Sequence, residues 1–266
     1  MQEAIDFLEE SRALHALIAE VGRERLHEAT QFKGWTLRDV LQHLHVWNEM
    51  ACLQIEDESL LMTRLGQLMS NGGDLRRFER ELRKDSQADA LLSDWRAGFE
   101  RTAERFAKVD PKARLQWAGP AMSARSSITA RLMETWAHGQ EIYDHLGVER
   151  QNTDRIRGIV VLGVNTFAWT YKARGAEPPG QLPRVELVSP TGDHWVFGEA
   201  SKTNKISGAA EAFCQVVTQT RNIADTDLVV SGSVANDWMS KAQCFAGPPS
   251  VPPAPGTRFR GKPAAI

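Results

Sequence analysis

The sequence predicts an α+β protein in two parts, a helical bundle over residues 1–150 and a smaller α/β domain over 151–247, followed by a Pro-rich tail over 248–266. Three observations carry this. Apolar residues recur at helical spacing through the first part, whereas period-two alternation around a turn begins only after residue 150. Six of the seven histidines lie in the first 145 residues, with His194 alone beyond. A chain of 266 residues also exceeds one average domain and can bury a sizeable core.

The first part reads as four helices. Around Glu3 to Val21, Ile5, Leu8, Leu14, Leu17 and Ile18 form an apolar stripe. Thr36 is an N-cap with Asp39 three residues on, approximating a capping box. The stripe of Leu37, Val40, Leu41, Leu44, Trp47 and Asn48 carries that helix to about Ile55. A long charged helix is expected from Asp74 through Phe106, with a break near Ser86. The fourth starts at Ser126 or Ser127 and ends at Gly147, a C′ glycine. Four helices without a strand define a four-helix bundle.

The second part is mixed. Asn152 to Tyr171 is a predicted helix. Arg184-Val-Glu-Leu-Val188, a Ser-Pro-Thr-Gly192-Asp193 turn and His194-Trp-Val-Phe197 read as a β-hairpin. A helix over Gly208 to Thr220, a strand over Asp227 to Val230 and a helix over Val234 to Phe245 follow. The tail contains Pro248, Pro249, Pro252, Pro253 and Pro255, which exclude regular structure and predict an extended arm.

Composition excludes several classes. The 32 basic and 34 acidic residues nearly cancel and form no long basic run, which argues against nucleic acid or anionic membrane as partners. Cys52, Cys214 and Cys244 are scattered and odd in number, so neither a disulfide framework nor a thiolate zinc site is expected, and a reducing, cytoplasmic setting is. Cys52 has no neighbouring basic residue to mark it as a nucleophile and reads as core. The N-terminus is acidic and amphipathic rather than secretory, and no apolar run reaches membrane-spanning length. Gly-x-Ser-x-Gly, Gly-Lys-Ser/Thr, Gly-x-Gly-x-x-Gly and His-Glu-x-x-His motifs are all missing.

The chemistry concentrates on two helices. Arg131, Glu134, His138, Glu141 and His145 fall at i, i+3, i+7, i+10 and i+14 of the fourth, a single polar stripe opposite Ile128, Leu132, Trp136, Ile142 and Leu146. On pattern alone the plainer reading is a solvated face laced with charge pairs. Two Glu-x-x-x-His pairs, Glu134/His138 and Glu141/His145, lie a heptad apart, and spacing does not choose between them. His43 borders the apolar stripe of its own helix, whereas His45 projects about 200° away and is expected to be exposed. A lone buried histidine is more often a satisfied core residue than a ligand. If His43 met one of the pairs in space, two imidazoles and a carboxylate could hold a divalent metal with a position left open.

At these residues the sequence resembles the DinB-like bundle superfamily and, within it, the mycothiol-dependent maleylpyruvate isomerase group. Gly34-Trp35-Thr36-Leu37-Arg38-Asp39-Val40 leading to His43-Leu44 carries the resemblance, with Arg131-x-x-Glu134-x-x-x-His138-x-x-Glu141 and Leu146-Gly147. More loosely, Ser189-Pro-Thr-Gly192, Trp195, Phe197-Gly198, Gly208, Phe213-Cys214 and Phe245-Ala-Gly247 resemble the group's appended sterol-carrier-like domain. The resemblance implies a divalent metal, usually zinc, on His43, Glu134 and His138, with Glu141, Arg131 and His145 assisting catalysis. It also implies a low-molecular-weight thiol that adds to a small electrophilic acid, allowing isomerisation by rotation and elimination, or is transferred to it. Two alternatives stay open: a thiol-independent hydratase, hydrolase or lyase at the same metal, and a non-catalytic protein binding metal and a small ligand, which a fourth ligand such as His145 would favour. The Pro-rich tail could pack across a second copy, so a homodimer is allowed.

Overall fold

Helix start signals, buried stripes and glycine stops place most elements of the computed structural model, which describes residues 1–83 and 90–262. The chain divides into two units, Met1–His138 and Gly139–Ala265.

In the first unit α1 spans Gln2–Ala19, α2 Leu37–Glu56, α3 Glu58–Ser70, α4 Leu75–Leu82, α5 Leu91–Lys108 and α6 Ala124–Leu146, the last running on into the second unit. A two-residue ladder pairs β1 (Arg114–Leu115) with β2 (Met122–Ser123). The four long helices α1, α2, α5 and α6 form the expected bundle. Position Ser86 lies outside the described residues, but α4 and α5 are separate helices on either side of it. The structure adds α3, capped by the Asp57 side chain on Leu60 N–H at 2.9 Å and burying Leu61, Leu65 and Leu68.

Two faces differ from expectation. α1 buries Ala4, Phe7, Leu14 and Ile18, leaving Ile5 49% exposed, because Phe7 offers more apolar area to the core than Ile5 on the adjoining face. α2 is buried nearly all round from Val40 to Cys52, since α3, α4 and α5 all pack on it. His45 is therefore buried, at 4% exposure, not exposed: the two-faced helix assumed from periodicity does not apply to the central helix of a bundle.

In the second unit α6 stops at Gly147, whose φ of 70° lets Val148 N–H reach Tyr143 C=O and its own N–H reach Asp144 C=O, a Schellman closure. The helix expected over 152–171 is a short 3-10 turn at Asp154–Ile156 followed by α7 (Arg157–Asn165) and α8 (Phe167–Lys172). β3 (Arg184–Val188) and β4 (His194–Phe197) form the expected hairpin, with Val185 opposite Phe197. The segment opening at Gly208 begins instead as the end of a strand, β5 (Lys205–Ala209), which pairs parallel to β3 before α9 (Ala210–Val217). β6 (Val229–Ser231) closes the order β4-β3-β5-β6, and α10 (Ser233–Met239) follows. Val185, Leu187, Ile206, Phe213 and Trp238 form the core beneath this sheet.

The Pro-rich arm is irregular and tied down within its own unit. Arg174 Nη2 donates to Ser250 C=O at 2.6 Å, Asn222 Nδ2 to Pro253 C=O at 2.8 Å, and Gly261 N–H to Asp144 C=O at 2.7 Å. Among the described residues no helix is long and apolar enough to cross a membrane.

Candidate metal centre

The start of α2 is built by a tight loop and a complete capping box. Thr36 Oγ1 accepts from Asp39 N–H at 3.1 Å and Asp39 Oδ2 accepts from Thr36 N–H at 3.0 Å. Just before it, Lys33 and Gly34 take positive φ of 51° and 69°, and Thr30 N–H donates to Trp35 C=O at 2.7 Å. The loop thereby presents Phe32 and Trp35 to the histidines: Trp35 stacks on His138 at 5.6 Å with planes 3° apart, and Phe32 meets the same ring edge-on at 5.1 Å. The Arg76 guanidinium lies 4.6 Å over Trp35. Trp35 also meets His43 at 5.4 Å, so both imidazoles sit against an aromatic wall.

Beneath it, one turn of α6 and one position of α2 converge. His43 Nε2 lies 3.5 Å and His138 Nε2 3.4 Å from the same atom, Glu134 Oε2. All three donor atoms fall within 4.8 Å of one another, the one such group of three or more among the described residues. Donors bound at about 2.0–2.1 Å in tetrahedral geometry sit roughly 3.4 Å apart, so two of the three edges already have the spacing of a zinc-like site. The structure chooses the Glu134/His138 pair, leaving His145 outside the cluster.

Glu79 of α4, which the sequence did not single out, completes the arrangement. Its carboxylate is fully buried and accepts from His43 Nδ1 at 2.6 Å and from Trp47 Nε1 at 3.0 Å. With Nδ1 carrying the proton, the His43 Nε2 lone pair faces the cluster, the orienting partner that metal-binding histidines usually have. Phe78 and Glu79 are the two inward residues of a helix otherwise rich in arginine. The Asp74 cap and Phe78 mark its inner face, but nothing in the sequence separates Glu79 from Glu81.

Electrostatics follow from burial and pairing. Burial alone would raise the Glu134 carboxyl, yet the hydrogen bonds from His138 and His43 outweigh it and hold it well below its usual range. Burial lowers His138, which favours the neutral ring. For His43 burial works the same way but is overcome by Glu134 and Glu79, which raise it. Glu134 is thus held ionised and His138 is held toward its neutral ring. The raised His43 favours a proton on Nε2 that a divalent metal would displace, the Nδ1 proton staying on the side of Glu79; with that exchange the residues fit one.

The assisting residues fall differently. Arg131 is buried, donating through Nε to Asn48 Oδ1 at 3.1 Å and through Nη2 to Leu44 C=O at 3.4 Å. Burial pushes its guanidinium down to about 10, against the pull of Glu134 and Glu79. Glu141 is 3% exposed and pairs with Arg258 of the arm. Burial pushes its carboxyl up to about 7, Arg258 and Arg221 pulling back only part of the way. His145 is half-buried on α6. Arg131 and Glu141 being buried, the polar stripe of α6 is not the solvated face that its pattern suggests.

Two imidazoles and one carboxylate from two helices, with a buried carboxylate behind one ring, make this a helical bundle with a candidate metal site. The chain belongs to the mycothiol maleylpyruvate isomerase N-terminal domain family, whose model matches residues 7–143. An uncharacterized protein of Mycobacterium tuberculosis, found in strain H37Rv and in strain CDC 1551 / Oshkosh, is 38% identical over 245 residues, covering 92% of this chain and 95% of the relative. The crystal structure of a mycothiol-dependent maleylpyruvate isomerase superposes with a TM-score of 0.55 at 14% identity, over 88% of this chain and 93% of that one. A histidine-to-alanine variant of that isomerase gives 0.53 at 13% identity, over 81% and 87%. At such identity the likeness is one of fold.

Proposed function

We propose that the protein is a metal-dependent enzyme of maleylpyruvate isomerase type, acting on a small electrophilic acid with a low-molecular-weight thiol. The observation that carries this reading is the convergence of His43 Nε2, Glu134 Oε2 and His138 Nε2 within 4.8 Å, with no fourth protein donor among the described residues. A divalent ion held there would lower the pKa of a bound thiol or water and polarise an oxygen of the substrate. Glu79 keeps the His43 ring turned so that Nε2 serves the site. Phe32 and Trp35 cover the His138 ring, and Trp35 also meets His43, shielding the rings from water. Arg131 places a buried positive charge next to Glu134 and, through Asn48 and Leu44, ties α6 to α2. Glu141 titrates near neutrality, the range suited to proton transfer. His145 stays a candidate for the same task. The family membership and the fold likeness to a mycothiol-dependent isomerase support the thiol and the isomerase chemistry.

Elemental mass spectrometry on the wild type and on His43→Ala and His138→Ala variants tests the site. About one metal per chain, lost in both variants with the fold retained, supports it, and no uptake by the wild type on reconstitution overturns it. Assay of maleylpyruvate isomerisation with and without mycothiol then tests the reaction. Turnover that is metal-dependent but indifferent to thiol would replace isomerisation by hydration, hydrolysis or a lyase step.

A further inference from the structure

Arg76, in the first turn of α4, reaches three separate supports of the candidate metal centre with one guanidinium. Its central carbon lies 4.6 Å over the Trp35 ring. Nη2 pairs with Oδ1 of Asp39, the carboxylate that closes the capping box of α2. Nη1 stands 3.8 Å from Glu79 Oε2, and neither of these buried atoms has a hydrogen-bond partner among the described residues. A carboxylate without exposure needs a counter-charge close by, and Arg76 supplies one to Glu79. The cation is itself well fixed. Asp74 caps α4 by accepting from Arg77 N–H at 2.9 Å, and Phe78 seats the helix in the core.

The Trp35 indole has need of such a hold. Its loop is set through the backbone, with Thr30 N–H donating to Trp35 C=O at 2.7 Å and Trp35 N–H to Phe32 C=O at 2.8 Å. Those bonds place the Trp35 Cα but leave its χ angles free to choose among rotamers. The ring is half-buried, so its position depends on what it touches. On the site side it meets His138, His43 and Phe32 with centroids 5.6, 5.4 and 5.0 Å away. Arg76 adds a contact that is anchored on two helices, through Asp39 of α2 and Glu79 of α4. The arrangement is specific to arginine. A planar fork can reach two carboxylates and lie against an indole at once, whereas an ammonium is a point charge on a flexible stem.

We propose that Arg76 is a positioning residue of the metal centre, its guanidinium holding the Trp35 indole closed over the His43 and His138 rings. The inference rests on the proposed metal centre for its purpose, but its test needs no metal. Diethyl pyrocarbonate carbethoxylates accessible imidazoles, and peptide mass spectrometry of the full chain, freed of metal by a chelator, gives the rate at each histidine. His27, which is exposed, and His45, which is buried, are the internal standards. Arg76→Lys and Arg76→Gln are each expected to speed labelling of His138 about tenfold or more relative to His27, with His45 still unlabelled. Trp35→Leu should give the same rise, and adding Arg76→Lys to it none further, because both act through one contact. Circular dichroism checks the fold of each variant. A merely structural role for Arg76 would expose His45 together with His138 or leave both unchanged. Equal His138 rates in the wild type and both Arg76 variants, labelling of His45 alongside His138, or a further rise in the double variant would each overturn the proposal. Failure of the wild type to take up zinc would instead strike the metal-centre reading, and the labelling would still decide the role of Arg76.

Discussion

His43 Nδ1 lies 2.6 Å from the Glu79 carboxylate, joining α2 to α4 across 36 residues of sequence. The bond sets the tautomer of one member of the donor cluster from outside it. Glu79→Gln keeps the shape but replaces a charged acceptor by a neutral amide. Metal affinity is expected to fall about 10- to 100-fold, as for other partners of metal-bound histidines. Competition against a chromogenic chelator measures it, and an affinity equal to wild type would remove Glu79 from the site.

The capping box at Thr36 and Asp39 fixes where α2 begins, and hence where His43 falls. Thr36→Ala removes the acceptor for Asp39 N–H and should cost about 0.5–2 kcal/mol. Urea denaturation gives the number. A parallel loss of metal affinity would show that the cap positions the site as well as stabilising the helix.

Glu141 links stability to pH. Its folded carboxyl is pushed up to about 7 by burial, against an ordinary value of 4.5. Between those values the folded chain keeps a proton that the unfolded chain has released. The folded state is therefore favoured below the window and loses stability as pH rises through it, by on the order of 3 kcal/mol in all. Glu141→Gln should flatten that dependence. Denaturation midpoints at about pH 5 and about pH 8 decide it, since an unchanged slope would assign the effect to other groups.

Arg221 and Asp144 form a bidentate pair in the second unit, both bonds 2.6 Å, with Asp144 almost fully buried. Arg221→Ala leaves a carboxylate without its partner and is expected to destabilise by about 3–5 kcal/mol. Replacing both, with Arg221→Met and Asp144→Leu, should recover most of that loss, because apolar packing can substitute for a buried pair. A thermal melt of the two variants checks the contrast.

Local signals were readable where a single residue type has one strong reason to be present. Thr36 with Asp39, Gly147 after Leu146, and the Ser189 to Asp193 turn between alternating strands each placed a boundary within a few residues. α3 carries equally good signals, Asp57 as cap and Leu61, Leu65 and Leu68 as stripe. β5 does not. Its Lys-Ile-Ser-Gly-Ala segment has no strong strand composition, and its place is set by parallel pairing with β3, a long-range constraint.

The sequence by itself determined the two-part α+β organisation, the frames of α2 and α6, the hairpin, and the set of residues from which a metal cluster could be drawn. Spacing left open which of two Glu/His pairs meets His43, and the tertiary structure brings Glu134 and His138 there, the pair the resemblance implies. It alone decided that Glu79 stands behind that ring and that His45 is buried rather than solvated. The reason is physical. Spacing along a helix fixes which side chains share a face, but burial of that face and its partners depend on the helices packed against it.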